Sequence, residues 1–262
     1  MNKIKILILA ANPKDTDKLR LDEEVREIEA ALERAKSRDR FEIVPKFAVR
    51  VDDLRRALLD HTPQIVHFSG HGAGGNGVAL ENNSGKMQMV STASLARLFK
   101  LFRDNLQCVF LNACYSEVQA EAIHQHIDYV VGMNKAIGDR AAIEFAKGFY
   151  DALGAGRSIE DAYELGCTSI DLESIPESST PVLKVKEQNG TPPVLANDLP
   201  ESGSPQDNEL DRKLEVVGSN HAIEVQGSTA PVAPLEMPEG QVPLDSAFYV
   251  ERPPIEMDCY ET

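Results

Sequence analysis

The sequence predicts an α/β domain built on parallel strands, followed by an acidic tail without regular structure. Over residues 1–186, short apolar runs alternate with longer amphipathic runs, the pattern of parallel strands joined by crossover helices. This periodicity then ends, and 10 of the 15 prolines fall within residues 187–262. Such a segment buries too little apolar surface to offset the entropy of ordering it, so we expect a disordered tail there.

Five short apolar runs are the strand candidates. Several are too continuously apolar to face water on either side, which predicts central positions in the sheet. The five runs are residues 4–10, 41–47, 65–68, 108–112 and 129–132.

Apolar residues at three- and four-residue steps predict the helices between these strands. One such stripe starts at Leu21 and another covers residues 142–153. We also expect helices near residues 92–103 and 158–172, the second opening with a Ser-x-x-Asp start signal at Ser158.

Charge and cysteine content limit the classes of function. Of the net charge of −15, residues 187–262 carry −12, with 15 acidic and 3 basic side chains. Neither part clusters Lys and Arg, which argues against nucleic-acid binding. The apolar start is too short for a membrane span and lacks a signal-peptide cleavage site, so no membrane association is expected. Four cysteines without CxxC spacing fit a reducing cytoplasm.

Two side chains that follow predicted strands suggest catalytic chemistry. His71 lies just beyond the run "IVHF", and Cys114 lies just beyond "CVFLN". The carboxyl ends of parallel strands share one edge of the sheet, where ligands bind. If these strands are neighbours, thiol and imidazole form a nucleophile with its proton carrier. The amides of Gly72 and Cys114 would then hold an oxyanion, and a helix over about 115–125 would favour the Cys114 thiolate through its amino end.

Metal chemistry is the weaker interpretation of the same residues. His67 alternates onto a sheet face, where a histidine satisfied within the core is the more common finding. A site made of His67, His71 and Cys114 would lack a fourth protein ligand. No metal or cofactor is therefore expected.

The motifs "VHFSGHG" (66–72) and "VFLNACYS" (109–116) resemble the CHAT family, which is related to caspases, metacaspases and separase. The resemblance extends over most of residues 1–186. It implies a caspase-like sheet with helices on both faces and peptide-bond hydrolysis through a thioester, without a metal. By position, the nucleophile is Cys114 and the catalytic histidine is His71. The family also suggests regulated cleavage of selected proteins in signalling or defence.

Substrate preference does not carry over from this resemblance. In relatives such as metacaspases, the residue two before the cysteine is often an acid that receives a basic side chain, and here it is Asn112. Asn112 is thus a candidate substrate-binding residue. Glu117 and Asp139 could supply an acid from nearby, although solvated surface charges are the commoner outcome.

The tail divides at residue 241. Residues 187–241 are expected to be a Pro-rich linker. Residues 242–262 resemble the lead-in to an AAA-like ATPase module, yet no GxxxxGK[ST] motif occurs in the chain. A truncated or split product with an ATPase partner is one interpretation, and a docking tail is the other.

Three functional classes follow for the whole chain. The first is a cytoplasmic cysteine endopeptidase that acts on proteins or peptides. The second is a catalytically silent caspase-like adaptor coupled to an ATPase partner. The third is a nucleotide-binding or receiver-like domain, which explains the sheet pattern but not the glycines, because no GxGxxG joins a strand to a helix here.

Overall fold

The computed structural model describes residues 3–186. The predicted linker (187–241) and terminal segment (242–262) lie outside the described residues, so both stay predictions. The strands are β1 Ile4–Ala10, β2 Phe41–Phe47, β3 Ile65–Ser69, β4 Val78–Glu81, β5 Met87–Val90, β6 Cys108–Asn112, β7 Tyr129–Met133 and β8 Pro181–Val185. The helices are α1 Leu21–Arg34, α2 Val51–His61, α3 Thr92–Lys100, α4 Glu117–Ile123, α5 Asp139–Gly154 and α6 Ile159–Leu172.

Six strands form the main sheet in the order β2-β1-β3-β6-β7-β8. The first five run parallel, and β8 pairs with β7 in the antiparallel direction. All five predicted strands are present, and β3 and β6 are direct neighbours as the candidate site requires. The separate β4–β5 hairpin and β8 were not predicted.

Helices cover both faces of the sheet, as expected. Alternation along β1 directs Ile6 and Ile8 into a core with α1, α5 and α6, whereas Leu7 and Leu9 enter a second core with α2, α3 and α4. Because its strands are buried on both faces, the centre of the sheet is a rigid platform for the loops at its carboxyl edge.

The starts of α6 and α4 can be compared with the starts predicted from the sequence. The Ser158 side chain accepts a hydrogen bond from the Asp161 amide at 3.1 Å, which confirms the predicted start of α6. The helix expected directly after Cys114 begins only at Glu117 and has 7 residues. Cys114 therefore lies two residues before the N-cap Ser116, and stabilisation of its thiolate by the amino end of this helix stays a prediction.

Within residues 3–186, none of the helices has the length and apolar character that a bilayer crossing requires.

Candidate active site

The loops that follow β3 and β6 lie against each other at the carboxyl edge of the sheet. Ser69 pairs with Asn112 in the register of these strands, and the Gly70 amide donates to the Asn112 carbonyl at 3.2 Å. A Cβ placed on Gly72 would lie 2.2 Å from the Cys114 carbonyl oxygen. Only glycine permits this approach, which joins the two loops that carry the candidate residues.

His71 is held by the loop between β1 and α1. Its Nε2 donates to the Asp17 carbonyl oxygen at 2.8 Å. The Asn12 side chain braces that loop, donating to the Leu19 carbonyl at 3.1 Å and accepting from the Leu19 amide at 3.4 Å. With the hydrogen on Nε2, a neutral imidazole has Nδ1 as its acceptor.

Cys114 borders the same pocket as His71, a cavity of about 40 Å³. Its Sγ lies 3.8 Å from the Ile137 carbonyl oxygen, the hydrogen-bond partner of the thiol. The described residues include no hydrogen bond between the thiol and the imidazole. The next residue, Tyr115, takes the left-handed conformation with φ of 55° and donates its amide to the Lys135 carbonyl. For a residue with a bulky side chain this conformation is strained, and such strain clusters at functional sites.

The amides proposed for the oxyanion hole have no acceptor within residues 3–186. The hydrogen bonds on either side of Gly72 run from the Ala73 amide to Gly77 and from the Ala79 amide to the His71 carbonyl. Neither the Gly72 nor the Cys114 amide donates to another described residue.

Gln119 fixes the turn that follows His71, and sequence reasoning missed it. It is fully buried on α4, and its Nε2 donates to the Gly74 carbonyl at 2.7 Å and to the Thr92 hydroxyl at 2.6 Å. Its place on a helix beside the cysteine motif was the available signal, but the neighbouring sequence does not indicate which distant carbonyl the side chain binds.

Asn112 lines the pocket, although only 5% of the residue is exposed. Its Nδ2 donates to Glu24 Oε1 at 2.6 Å and lies 3.3 Å from the Ala142 carbonyl. Glu24 also borders the pocket and was not singled out from the sequence. Its spacing three residues after Leu21 and four before Ile28 puts it on the apolar stripe of α1, which was the available signal.

Of the two acidic residues considered from the sequence, only one borders the pocket. Glu117 pairs with Lys184 at 2.9 Å, whereas Asp139, at the start of α5, borders the pocket. His67 is a satisfied core histidine, fully buried and stacked on Phe110 with ring centroids 4.3 Å apart. Residues 3–186 contain no group of three or more His, Cys, Asp or Glu side chains placed to hold a metal ion.

The other described cysteines are poor candidates for a nucleophile. Burial raises the pKa of the Cys108 thiol to about 12 and that of the Cys167 thiol to about 11. Because the thiolate is the reactive species, a raised pKa makes both thiols less reactive near neutral pH. Cys114 is the one that borders the pocket among the cysteines of the described region.

Comparison with known proteins gives a family match over most of the described region. The model of the CHAT domain matches residues 2–164. A Roc-COR-CHAT protease from an unknown prokaryotic organism is 27% identical over 179 residues, which are 66% of this chain and 17% of the relative. A probable protease from Gillisia limnaea is 26% identical over 150 residues, 56% of this chain and 26% of the relative. The chain therefore spans well under a third of the length of these curated relatives.

One solved structure shares the architecture. The Arg-specific cysteine proteinase gingipain R aligns with a TM-score of 0.51 at 11% identity, covering 70% of this chain and 46% of that one. At this identity the likeness concerns the fold alone. The fold of this chain, a mostly parallel sheet with helices on both faces, is therefore similar to that of gingipain R.

Proposed function

Because the chain belongs to the CHAT domain family, a family of caspase-like proteases, we propose that it is a cysteine endopeptidase that cleaves selected proteins through a thioester. Cys114 is the nucleophile and His71 carries the proton. The observation that carries the proposal is that these side chains, from loops after neighbouring strands, border one pocket at the carboxyl edge of the sheet.

The histidine tautomer supports a defined sequence of proton transfers. With Nε2–H donated to the Asp17 carbonyl, Nδ1 takes the Cys114 proton as sulfur attacks the scissile carbonyl carbon. Nδ1 then gives this proton to the leaving amine as the C–N bond breaks, which leaves the thioester. A water attacks the thioester, its proton passes to Nδ1 and then to sulfur, and the acid product leaves.

The free amides of Gly72 and Cys114 support the expected oxyanion hole. They are the donors that a tetrahedral intermediate would use, and each such donor contributes on the order of 3 kcal/mol to lowering the barrier. Since no described residue accepts from them, substrate need not displace a protein acceptor.

Replacement of Cys114 tests the proposal. In a peptide-library assay with the full chain, Cys114→Ala should abolish cleavage while thermal unfolding stays close to wild type. Cys167→Ala is the matched control and should cleave normally, because this residue lies on α6 and does not border the pocket. Cleavage that persists in Cys114→Ala would refute the assignment.

A catalytically silent adaptor is the second candidate, and one observation favours it. The Cys114 thiol has the Ile137 carbonyl rather than the imidazole as its partner. For an enzyme, this thiol would have to turn to the imidazole when substrate binds, since catalytic hydrogen bonds often tighten only in the complex. Labelling of Cys114 by a peptidyl acyloxymethyl ketone, lost in His71→Ala, would favour the enzyme; no labelling of wild type would favour the adaptor.

Regulation and partners extend this proposal. The Roc-COR-CHAT relative carries its CHAT region within a longer protein, and we propose that this chain likewise acts as the proteolytic module of a regulated assembly. An AAA-like ATPase partner stays a prediction.

A further inference from the structure

A buried polar cluster lies under the pocket, where α1 meets β3 and β6. Its centre is Glu24, which is 3% exposed. Glu24 Oε1 accepts from Asn112 Nδ2 at 2.6 Å and from His67 Nε2 at 2.8 Å. Both bonds end on the same carboxylate oxygen, and Glu24 itself borders the pocket.

The Tyr150 hydroxyl completes the hydrogen bonds of this cluster. Burial, with Cys108 and Glu24 adding to the effect, raises the pKa of Tyr150 well above its usual value, so the phenol keeps its proton. The Tyr150 hydroxyl can donate to His67 Nδ1 at 3.0 Å, while Nε2–H donates to Glu24. A carboxylate can accept up to about four hydrogen bonds, so Glu24 keeps acceptor capacity beyond the bonds from Asn112 and His67.

The side-chain oxygen of Asn112 is a second hydrogen-bond acceptor in this cluster, and it has no donor among the described residues. Asn112 Oδ1 is buried and has no hydrogen-bond partner. Its orientation is well determined, because the amide nitrogen lies near two acceptors, Glu24 Oε1 and the Ala142 carbonyl. A buried acceptor without a donor is unfavourable, and a ligand that brings a donor removes the cost.

The lining of the pocket contains acids but no Lys or Arg. Besides Glu24 and Asn112, its polar lining includes Asp139, and apolar side chains of Leu19 and Leu21 also border it. The volume of about 40 Å³ is close to that of one water-sized group, since a water occupies roughly 30 Å³ in the liquid. A small cationic group with hydrogen-bond donors matches both the charge and the size.

We propose that this pocket selects substrates with lysine at the residue whose carbonyl is attacked, with Glu24 supplying the charge and Asn112 Oδ1 the second acceptor. The proposal rests on the proposed function, because the pocket borders Cys114. Sequence reasoning left a basic preference unsupported because Asn112 replaces the acid seen in some relatives. A carboxylate reaches the same place from α1 instead.

Two peptidyl acyloxymethyl ketones test the proposal on the full chain. They differ only in the residue whose carbonyl is attacked, which is lysine in one probe and norleucine in the other. Norleucine keeps the aliphatic chain and removes the amine. We expect the lysine probe to modify Cys114 about 10- to 100-fold faster, the range for one charged hydrogen bond. Glu24→Gln keeps the shape of the side chain and should bring the two rates within about threefold, largely by slowing the lysine probe.

Glu23→Gln is the matched control. It removes the same charge one residue away, but Glu23 pairs with Arg20 and does not border the pocket. Its rate ratio should equal that of wild type.

The outcomes separate this proposal from the proposed function. Equal rates of Cys114 modification by both probes in wild type would overturn the lysine pocket while leaving the nucleophile in place, even if Glu24→Gln fails to fold. A ratio in Glu24→Gln as high as in wild type would overturn the role of Glu24. No modification by either probe would overturn the nucleophile and this proposal with it. A matched arginine probe that reacts faster than the lysine probe would overturn the choice of lysine.

Discussion

Replacing Gly72 by alanine tests whether the contact between the two loops of the candidate site is required for the proposed activity. The added Cβ would lie 2.2 Å from the Cys114 carbonyl oxygen and 3.2 Å from the Ala113 Cβ. Both neighbours belong to the main chain or to a short side chain, so no rotamer change relieves the clash. The loops would have to separate by about 1.2 Å or more, because ordinary van der Waals contact begins at 3.4 Å.

The expected loss of activity follows from that displacement. A misplacement of about 1 Å in an active site can cost about 100-fold in rate, and loss of one oxyanion donor costs roughly 100- to 1,000-fold. We therefore expect kcat/KM of Gly72→Ala to fall by about 100- to 1,000-fold on a peptide that wild type cleaves. The clash itself should lower the free energy of unfolding by only about 1–3 kcal/mol, measured by urea denaturation.

Gly75→Ala is the control within the same loop. A Cβ on Gly75 meets nothing within 4 Å, so activity should stay within about twofold of wild type. If Gly72→Ala cleaves as well as Gly75→Ala, the loops do not need this approach and the proposed oxyanion hole is wrong. Parallel losses in both variants would instead indicate that general flexibility of the loop matters.

Two further predictions concern thiol reactivity and the buried cluster. In native protein at pH 8, iodoacetamide should modify Cys114 faster than Cys167, because burial raises the pKa of the Cys167 thiol. Cys108 is fully buried and should stay intact until unfolding. Peptide mass spectrometry measures all three rates, and early modification of Cys108 would contradict its burial. Tyr150→Phe removes the hydroxyl that binds His67, so unfolding free energy should fall by about 1–3 kcal/mol, the cost of leaving a buried polar group unpaired. Unchanged stability in thermal unfolding would show that this bond contributes nothing net.

The central strands could be predicted because their residues are apolar, and such residues are buried when the strand lies in the middle of a sheet. The runs that became β1, β3 and β6 are apolar on both faces, and their observed bounds differ from the predicted ones by at most one residue. The missed strands lack this signal. β4 and β5 have four residues each, and β5 is half exposed. β8 begins at Pro181, which an edge strand tolerates at its first position.

The candidate site was only partly readable, for a different reason. His71 and Cys114 have recognisable chemistry and lie beside glycines in a distinctive motif. The partner of His71 is the backbone carbonyl of Asp17. Every residue has a backbone carbonyl, so the sequence does not indicate which one binds the histidine. Glu24 follows Asp22 and Glu23 in the first turn of α1, where acids usually complement the helix dipole, so its burial could be found only from its position relative to the apolar stripe.

The reversed direction of β8 decides where the polypeptide leaves the α/β domain. Pro181 pairs with Met133 at the carboxyl end of β7, whereas Val185 pairs with Tyr129 at its start, and the Lys186 amide then binds the Asp128 carbonyl. The backbone thus exits on the amino-terminal side of the sheet, about 15 Å from the edge where the crevice opens. A reporter fused directly after Lys186 would therefore be anchored away from the pocket that Cys114 borders.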